Sequence, residues 1–277
     1  MQVNPRRFVA SNIPAMRERF AAQSVIEVLL LEQSLVPPRS PLARFFGRSP
    51  LGPESMFWYR GAKAEMAVGM LLAELPAEWT TFHAIPAGAE GTEIDHLVVG
   101  PGGVFTIQTK RHRGKRVRVA GRTVVVDGER LPYIRKAELD AARVTTLLRE
   151  RMLLRPSVRP VVAIVGAKRI TMYQKPAQVK VLDAEDLRPW LLTRPPVLDP
   201  VDRIEAANII DSPDTWDAFP SLEPQQLISE FAALEKSVRA ARKQRIFWVP
   251  FGSAALIVGA AGMPYLITAL IGLSVAH

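Results

Sequence analysis

The 277 residues carry a formal charge of +9, and the pI is near 10.2. Cysteine is absent, which excludes disulfides and thiolate metal sites, so any metal must be held by oxygen or imidazole ligands. This length holds one substantial domain with appendages, and the charge points to an anionic partner, either nucleic acid or a phospholipid surface.

Residues 1–53 are basic, with Arg6, Arg7, Arg17 and Arg19. The apolar run Val25 to Leu31 lies too far in, and is broken by Glu27, to be a signal-peptide core. Ala15 to Leu35 reads as an amphipathic helix ended by Val36-Pro37-Pro38, and the Pro- and Arg-rich stretch to Pro53 reads as a mobile linker.

Gly61 to Leu75 reads as a helix closed by Pro76. At about 100° per residue, Lys63 and Glu74 share its solvent stripe, whereas Glu65 falls on the face of Val68, Gly69 and Leu72. A carboxylate there needs a partner or a metal. It reads equally as a helix-end residue reaching water. Trp79 to Pro86 is a short strand and Ala87 to Gly91 a loop.

Two β-rich runs, Ile94–Val99 and Val104–Lys110, flank Gly100-Pro101-Gly102-Gly103 and read as a hairpin. Alternation puts Gln108 and Lys110 on one face and Thr109 opposite, and folding back across the turn brings Asp95 beside that pair. An acid, an amide and an amine then converge on one point. Spacing alone is equally consistent with an edge hairpin facing water. His96, next to Asp95, points to the other face and reads as structural.

Lys110 to Arg118 carries six formal positive charges and no acid. A solvated face is the usual meaning of such a run. Directly after Lys110 it would form a wall that attracts a phosphate backbone, through Arg111, Arg113, Lys115, Arg116 and Arg118. Val117–Val119 and Thr123–Val126 form a further hairpin. Lys136 to Met152 is helical, with Leu139, Ala142, Leu147 and Leu148 available to pack, and Val161 to Val165 is a strand buried on both faces. The order implies an α/β layer architecture with a mixed sheet. Residues 183–230 hold eleven Asp or Glu against three Arg; Asp186–Leu192 and Val201–Ile210 are short packing helices, and Trp216 closes the domain.

The helix Glu65, the strand Asp95 and the Gln108-Thr109-Lys110 ending on an α-β-β-β-α-β order resemble the PD-(D/E)XK nuclease superfamily. Within it, Gly61 to Glu65, Ile94 to Val99, Gly103 to Lys110 and the following Arg-Gly resemble the NERD, or nuclease-related domain, family, over roughly residues 58–216. The resemblance implies that Asp95 and Gln108, the Thr109 carbonyl and Glu65 hold Mg²⁺ or Mn²⁺, and that Lys110 orients the attacking water and stabilises charge at the phosphate. Two positions depart from the pattern: Ile94 stands where the superfamily name has proline, and Gln108 where most members carry Asp or Glu. The second removes a negative charge from the site and lowers its expected metal affinity.

Ile246 to Ala276 has no charged residue and would span about 46 Å as a helix, more than a bilayer core requires. It reads as one transmembrane helix, or as a re-entrant hairpin turning at Gly262-Met263-Pro264. Lys236, Arg239, Arg242, Lys243 and Arg245 precede it, which orients the folded part to the cytoplasm and His277 outside. The expected domains are residues 1–53, a nuclease-like domain 54–218, a helical basic stalk 219–245 and a single-pass membrane segment 246–276. The expected function is a membrane-anchored, metal-dependent nuclease whose partners are nucleic acid, DNA ahead of RNA, and the bilayer. A catalytically degenerate scaffold on the same fold and a protein that binds anionic headgroups alone are the other readings.

Overall fold

A computed structural model describes residues 15–86, 93–154, 156–216 and 223–248. The loop expected at residues 87–91, and almost all of the segment 246–276, lie outside the described residues. Among the described residues no helix is long and apolar enough to cross a membrane. The chain divides into two compact units, Met1–Leu29 with Met56–Leu227, and Leu30–Ser55 with Ile228–His277.

The first unit is built on a five-stranded sheet in the order β1-β2-β3-β7-β9, formed by β1 (Thr80–Pro86), β2 (Glu93–Gly100), β3 (Gly103–Arg111), β7 (Val158–Val165) and β9 (Lys180–Asp183). β1, β2 and β3 pair antiparallel, and β3, β7 and β9 run parallel. The hairpin is tighter than expected. Gly100 pairs with Gly103, leaving Pro101-Gly102 between them. Pro101 presets the turn, and Gly103 takes φ +120°, a conformation that other residues rarely adopt.

Helices cover both faces. On one side, α3 (Pro53–Ala73) and α5 (Leu187–Leu192) bring Val68, Leu72, Leu187 and Leu191 onto Val98, Phe105, Ile107 and Val161. On the other, α4 (Tyr133–Arg151) and α6 (Pro200–Asp211) bring Val144, Leu148, Ala206 and Ile210 onto Leu97, Val99 and Val104. Trp216 is buried in this second core, its Nε1 donating to the Ile210 carbonyl at 2.7 Å. α4 turns inward only part of the face expected, Leu148 and in part Leu147. Ile134, Ala137, Ala141, Val144 and Leu148 are buried, whereas Leu139 and Ala142 are exposed and Leu147 is half-buried. Buried Asp140 shares the inward face, and a carboxylate there hides the apolar stripe from a reading of periodicity.

The excursion expected as a hairpin is a second sheet, β6-β5-β4-β8, formed by β4 (Arg116–Ala120), β5 (Thr123–Val126), β6 (Glu129–Leu131) and β8 (Arg169–Gln174). Its inner face, Val117, Val119, Val124 and Val126, closes a third core over Ile134, Ala137, Val162 and Ile164. β8 escapes a local reading because it is an edge strand whose residues are all at least partly exposed.

The N-terminal segment is also corrected. In place of one helix over residues 15–35 there is a 3-10 turn, Met16–Glu18, and then α1 (Gln23–Ser34), with Ala22 between them at φ +68°. Met16, Ile26 and Leu29 are buried, and Met16 joins the core of the first unit.

The second unit contains the stretch expected as a mobile linker, and that stretch is ordered. Ser40 caps the short helix α2 (Pro41–Phe45) by accepting from the Ala43 N–H, with Pro41 in its first turn. The Phe45 and Phe46 rings pack on Trp248, whose Nε1 donates to the Phe45 carbonyl at 2.8 Å. Residues 224–248 are one helix, which takes in the expected stalk 219–245 from residue 224 onward.

Candidate metal centre and nucleic-acid interface

Asp95 and Glu93 sit two residues apart on β2, and so on the same face. Glu65 reaches them from α3. One carboxylate oxygen from each of Glu65, Glu93 and Asp95 lies within 4.8 Å of the other two. Continuing the β2–β3 register beyond His96–Ile107 sets Gln108 opposite Asp95 and Lys110 opposite Glu93. Glu65 and Asp95, both expected at the site, thus meet with Glu93, and the extended register carries Gln108 and Lys110 onto the same face.

Hydrogen bonds fix the donors. The Thr109 N–H donates to Asp95 Oδ2 at 2.6 Å. Gln108 Nε2 donates to Asp140 Oδ2 on α4 at 2.7 Å, and Lys136 Nζ reaches the same oxygen at 3.3 Å and the Glu93 carbonyl at 3.2 Å. A carboxylate can accept only from the amide nitrogen, so Asp140 sets which way the Gln108 amide faces. Gln108 is 1% exposed, and its Oε1 is buried without a partner, as is Glu65 Oε2. Three clustered carboxylates, one of them carrying the orphaned Glu65 Oε2, together with the orphaned Gln108 Oε1 are a hard-oxygen donor set. These residues fit a divalent cation.

The electrostatics agree. Burial, and then repulsion by Asp95 and Glu93, pushes the Glu65 carboxyl up to about 9, against the pull of Lys110 and Lys136. Burial pushes Glu93 up to about 7, with Asp95 adding to the rise and Ser24, Arg19 and Lys136 opposing it. Arg19 bonds Ser24 Oγ at 3.0 Å and the Ala84 carbonyl at 2.7 Å. The N-terminal segment therefore braces the site from behind Glu93. Ala84 stands at φ +50° where the β1–β2 ladder skips the position opposite Asp95, so backbone strain is stored beside the acid.

His96 faces away from the carboxylates, as expected. It is fully buried, with Nδ1 2.8 Å from His83 Nδ1 and Nε2 3.2 Å from Thr109 Oγ1. Burial holds His83 down to about 4 and His96 well below the usual imidazole range, so both are neutral at physiological pH. Their part is to hold Thr109, whose N–H holds Asp95.

Lys110 is half-buried, its Nζ 5.5 Å from the centre of the Tyr133 ring, and Tyr133 Oη lies 3.0 Å from His112 Nε2. Arg111 is partly exposed, and Arg113, Lys115, Arg116 and Arg118 are exposed. Arg60 on α3 lies close enough to Arg111 to depress its guanidinium, after burial and together with Arg113. Lys115 pairs with Asp127 at 3.5 Å.

Glu93, Lys136 and Asp140 were missed in the sequence. Glu93 carried a local signal, an acid at i, i+2 with Asp95 on one strand. Lys136 and Asp140 carried only a helical i, i+4 spacing, which says nothing of a partner on β3.

An acidic cluster on a hairpin that ends in lysine, held between helices on a mixed sheet, fits a PD-(D/E)XK nuclease-like core. Residues 60–165 match the family model described as Nuclease-related domain. The match ends with β7, short of the expected residue 216. The structure of Pyrococcus furiosus SfsA in complex with Ca²⁺ aligns at 14% identity over 46% of this chain and 55% of that chain, with a TM-score of 0.23, too low for a residue-by-residue comparison. The alignment spans about half of the SfsA chain. No curated protein matches.

Proposed function

We propose that the chain is a metal-dependent nuclease that hydrolyses phosphodiester bonds of DNA, or of RNA, at the cytoplasmic face of a membrane. The observation that carries the reading is the cluster of Glu65, Glu93 and Asp95 with the partnerless oxygens of Glu65 and Gln108, beside Lys110. Asp95, Glu65, Glu93, Gln108 Oε1 and the Thr109 carbonyl would hold Mg²⁺ or Mn²⁺. Such an ion neutralises phosphate charge and lowers the pKa of a bound water. Lys110 supplies a fixed positive charge for the phosphate and a donor to orient water. The basic connection from Arg111 to Arg118 draws the backbone toward it.

Glu93 bears on the departure at Gln108. The carboxylate missing from β3 is matched by one on β2, so the site keeps three acids. A second reading, a non-catalytic scaffold that binds nucleic acid or a protein, is favoured by Gln108 itself, because an amide binds a hard cation more weakly than a carboxylate does.

The test is cleavage of labelled single- and double-stranded DNA and RNA by the full-length chain with Mg²⁺, Mn²⁺ or EDTA, beside Asp95→Ala and Lys110→Ala. Metal-dependent cutting that both substitutions abolish supports the enzyme and names its substrate. A folded chain that cuts nothing with either metal leaves the scaffold.

Membrane anchoring rests on the uncharged segment 246–276 and the basic residues before it. Residues 1–53 precede the nuclease-like domain 54–218, and 219–245 is the stalk. Cell fractionation with and without residues 246–277 tests this arrangement: a full-length chain that stays in the soluble fraction sinks it.

A further inference from the structure

The small sheet has an outer face of which the catalytic reading uses only Arg116 and Arg118. Cross-strand partners share a face, so the register assigns it residue by residue. Arg116 on β4 pairs with Arg169 on β8; Arg118 pairs with Thr171 on β8 and Val125 on β5; Val125 pairs with Arg130 on β6. The alternate positions, Val117, Val119, Val124, Ile170 and Leu131, turn into the third core. Arg116, Arg118, Arg130 and Arg169 are therefore all on the outer face, and all four are exposed.

No acid occupies a position on that face. Among the described residues none of the four arginines makes an ion pair; of the acids near the sheet, Asp127 pairs with Lys115 and Glu138 with Arg122, and Glu129 stands opposite Val126, at an alternate position of β6 from Arg130. Arg116 stands beside Arg169 in the parallel β4–β8 pair, two like charges whose repulsion an anion between them would relieve. Four strands at about 4.8 Å spacing spread the array over about 14 Å. That breadth covers several phosphates, since a duplex carries one charge per about 1.7 Å of axis.

Position relative to the site decides the occupant. β4 and β8 leave the C-terminal ends of the parallel neighbours β3 and β7, the end where Lys110 and Arg111 emerge. The two connections are tied together by His112 N–H to the Val165 carbonyl, Gly114 N–H to the Gly166 carbonyl and Lys168 N–H to the Lys115 carbonyl. A basic path thus runs from the catalytic lysine onto the sheet.

We infer that the outer face of the β6-β5-β4-β8 sheet is a docking platform for the phosphate backbone of a nucleic acid whose scissile bond lies at the carboxylate cluster. Arg130 and Arg169 form its far edges, on strands at either side of the two arginines of β4. The inference rests on the nuclease reading for its choice of partner.

The test is binding of a short duplex by the full-length chain in non-ionic detergent, with EDTA present so that cutting plays no part. Arg130→Ala/Arg169→Ala should weaken binding and lower the slope of log K against log salt by about 1.8, two phosphates at about 0.9 each. Arg130→Lys/Arg169→Lys, which keeps both charges, should restore the slope. An unchanged slope in the alanine variant, or no duplex binding by the parent chain, overturns the inference. So does a loss confined to phosphatidylserine vesicles, which would assign the face to lipid headgroups. Cleavage assayed beside it separates the two ideas: a chain that fails to cut yet shows the slope change loses the nuclease and keeps the platform.

Discussion

The carboxylate cluster and the arginine face start from the same strand end and hold charge in opposite ways. Glu65, Glu93 and Asp95 are packed close together, and burial with the neighbouring charges raises Glu65 to about 9 and Glu93 to about 7, a cost that a bound cation would offset. The four arginines stand in water, spread over a sheet, where salt screens each of them. Buried like charges amount to a demand for one ion at one place. Exposed like charges amount to a diffuse attraction whose strength depends on ionic strength. The proposed nuclease would use both, the first for chemistry and the second for grip.

The contrast breaks most sharply at the acids. Asp95→Ala removes the carboxylate that the Thr109 N–H positions, and cleavage should fall at least about a hundredfold, read as initial rate at saturating Mg²⁺. A variant with near-parental rates would move the chemistry elsewhere.

The next largest effect is on Gln108. Gln108→Glu adds the acid usual in the superfamily, but it puts a second carboxylate against Asp140 where an amide now donates. The single substitution should destabilise the metal-free protein. Gln108→Glu/Asp140→Asn reverses the polarity of that bond, and should recover the melting temperature and bind Mn²⁺ more tightly than the parent, as read by titration calorimetry. Equal affinity in parent and double variant would show that Gln108 Oε1 does not face the ion.

The pH dependence of stability follows from the sign of the shifts. Glu65 and Glu93 are raised in the folded state, so their contribution is complete below the usual carboxylate range. It is lost as pH rises through about 7 for Glu93 and about 9 for Glu65. Thermal melts in EDTA should therefore fall between pH 6 and pH 9.5, and Mn²⁺ should reduce the fall. A flat metal-free profile would mean that the acids are not forced together.

A smaller effect belongs to the backbone. Ala84→Gly relieves the positive φ beside Asp95 and should stabilise the fold by less than about 1 kcal/mol. If cleavage also drops, the strain serves to position the acid.

The hairpin, the helix bearing Glu65 and the buried strand β7 were legible because each signal is local. Alternation, a Gly-Pro-Gly-Gly turn and a continuous apolar run all act over a few residues. The edge strand β8 was not, because half-exposed residues leave no period. The inward face of α4 was legible only at Leu147 and Leu148, because Asp140 occupies it, a polar residue that only a partner on β3 makes tolerable.

By itself the sequence determined the order of the core elements, the acid-amide-lysine spacing on one hairpin and the absence of thiolate ligands, since these depend on residue type and near neighbours. Tertiary structure alone decided that Glu93 joins Glu65 and Asp95, that Asp140 turns the Gln108 amide, and that arginines from residue 116 to residue 169 share one face. Each of these depends on which strands pair and which helix covers them, and long-range pairing is set by the burial of the whole core.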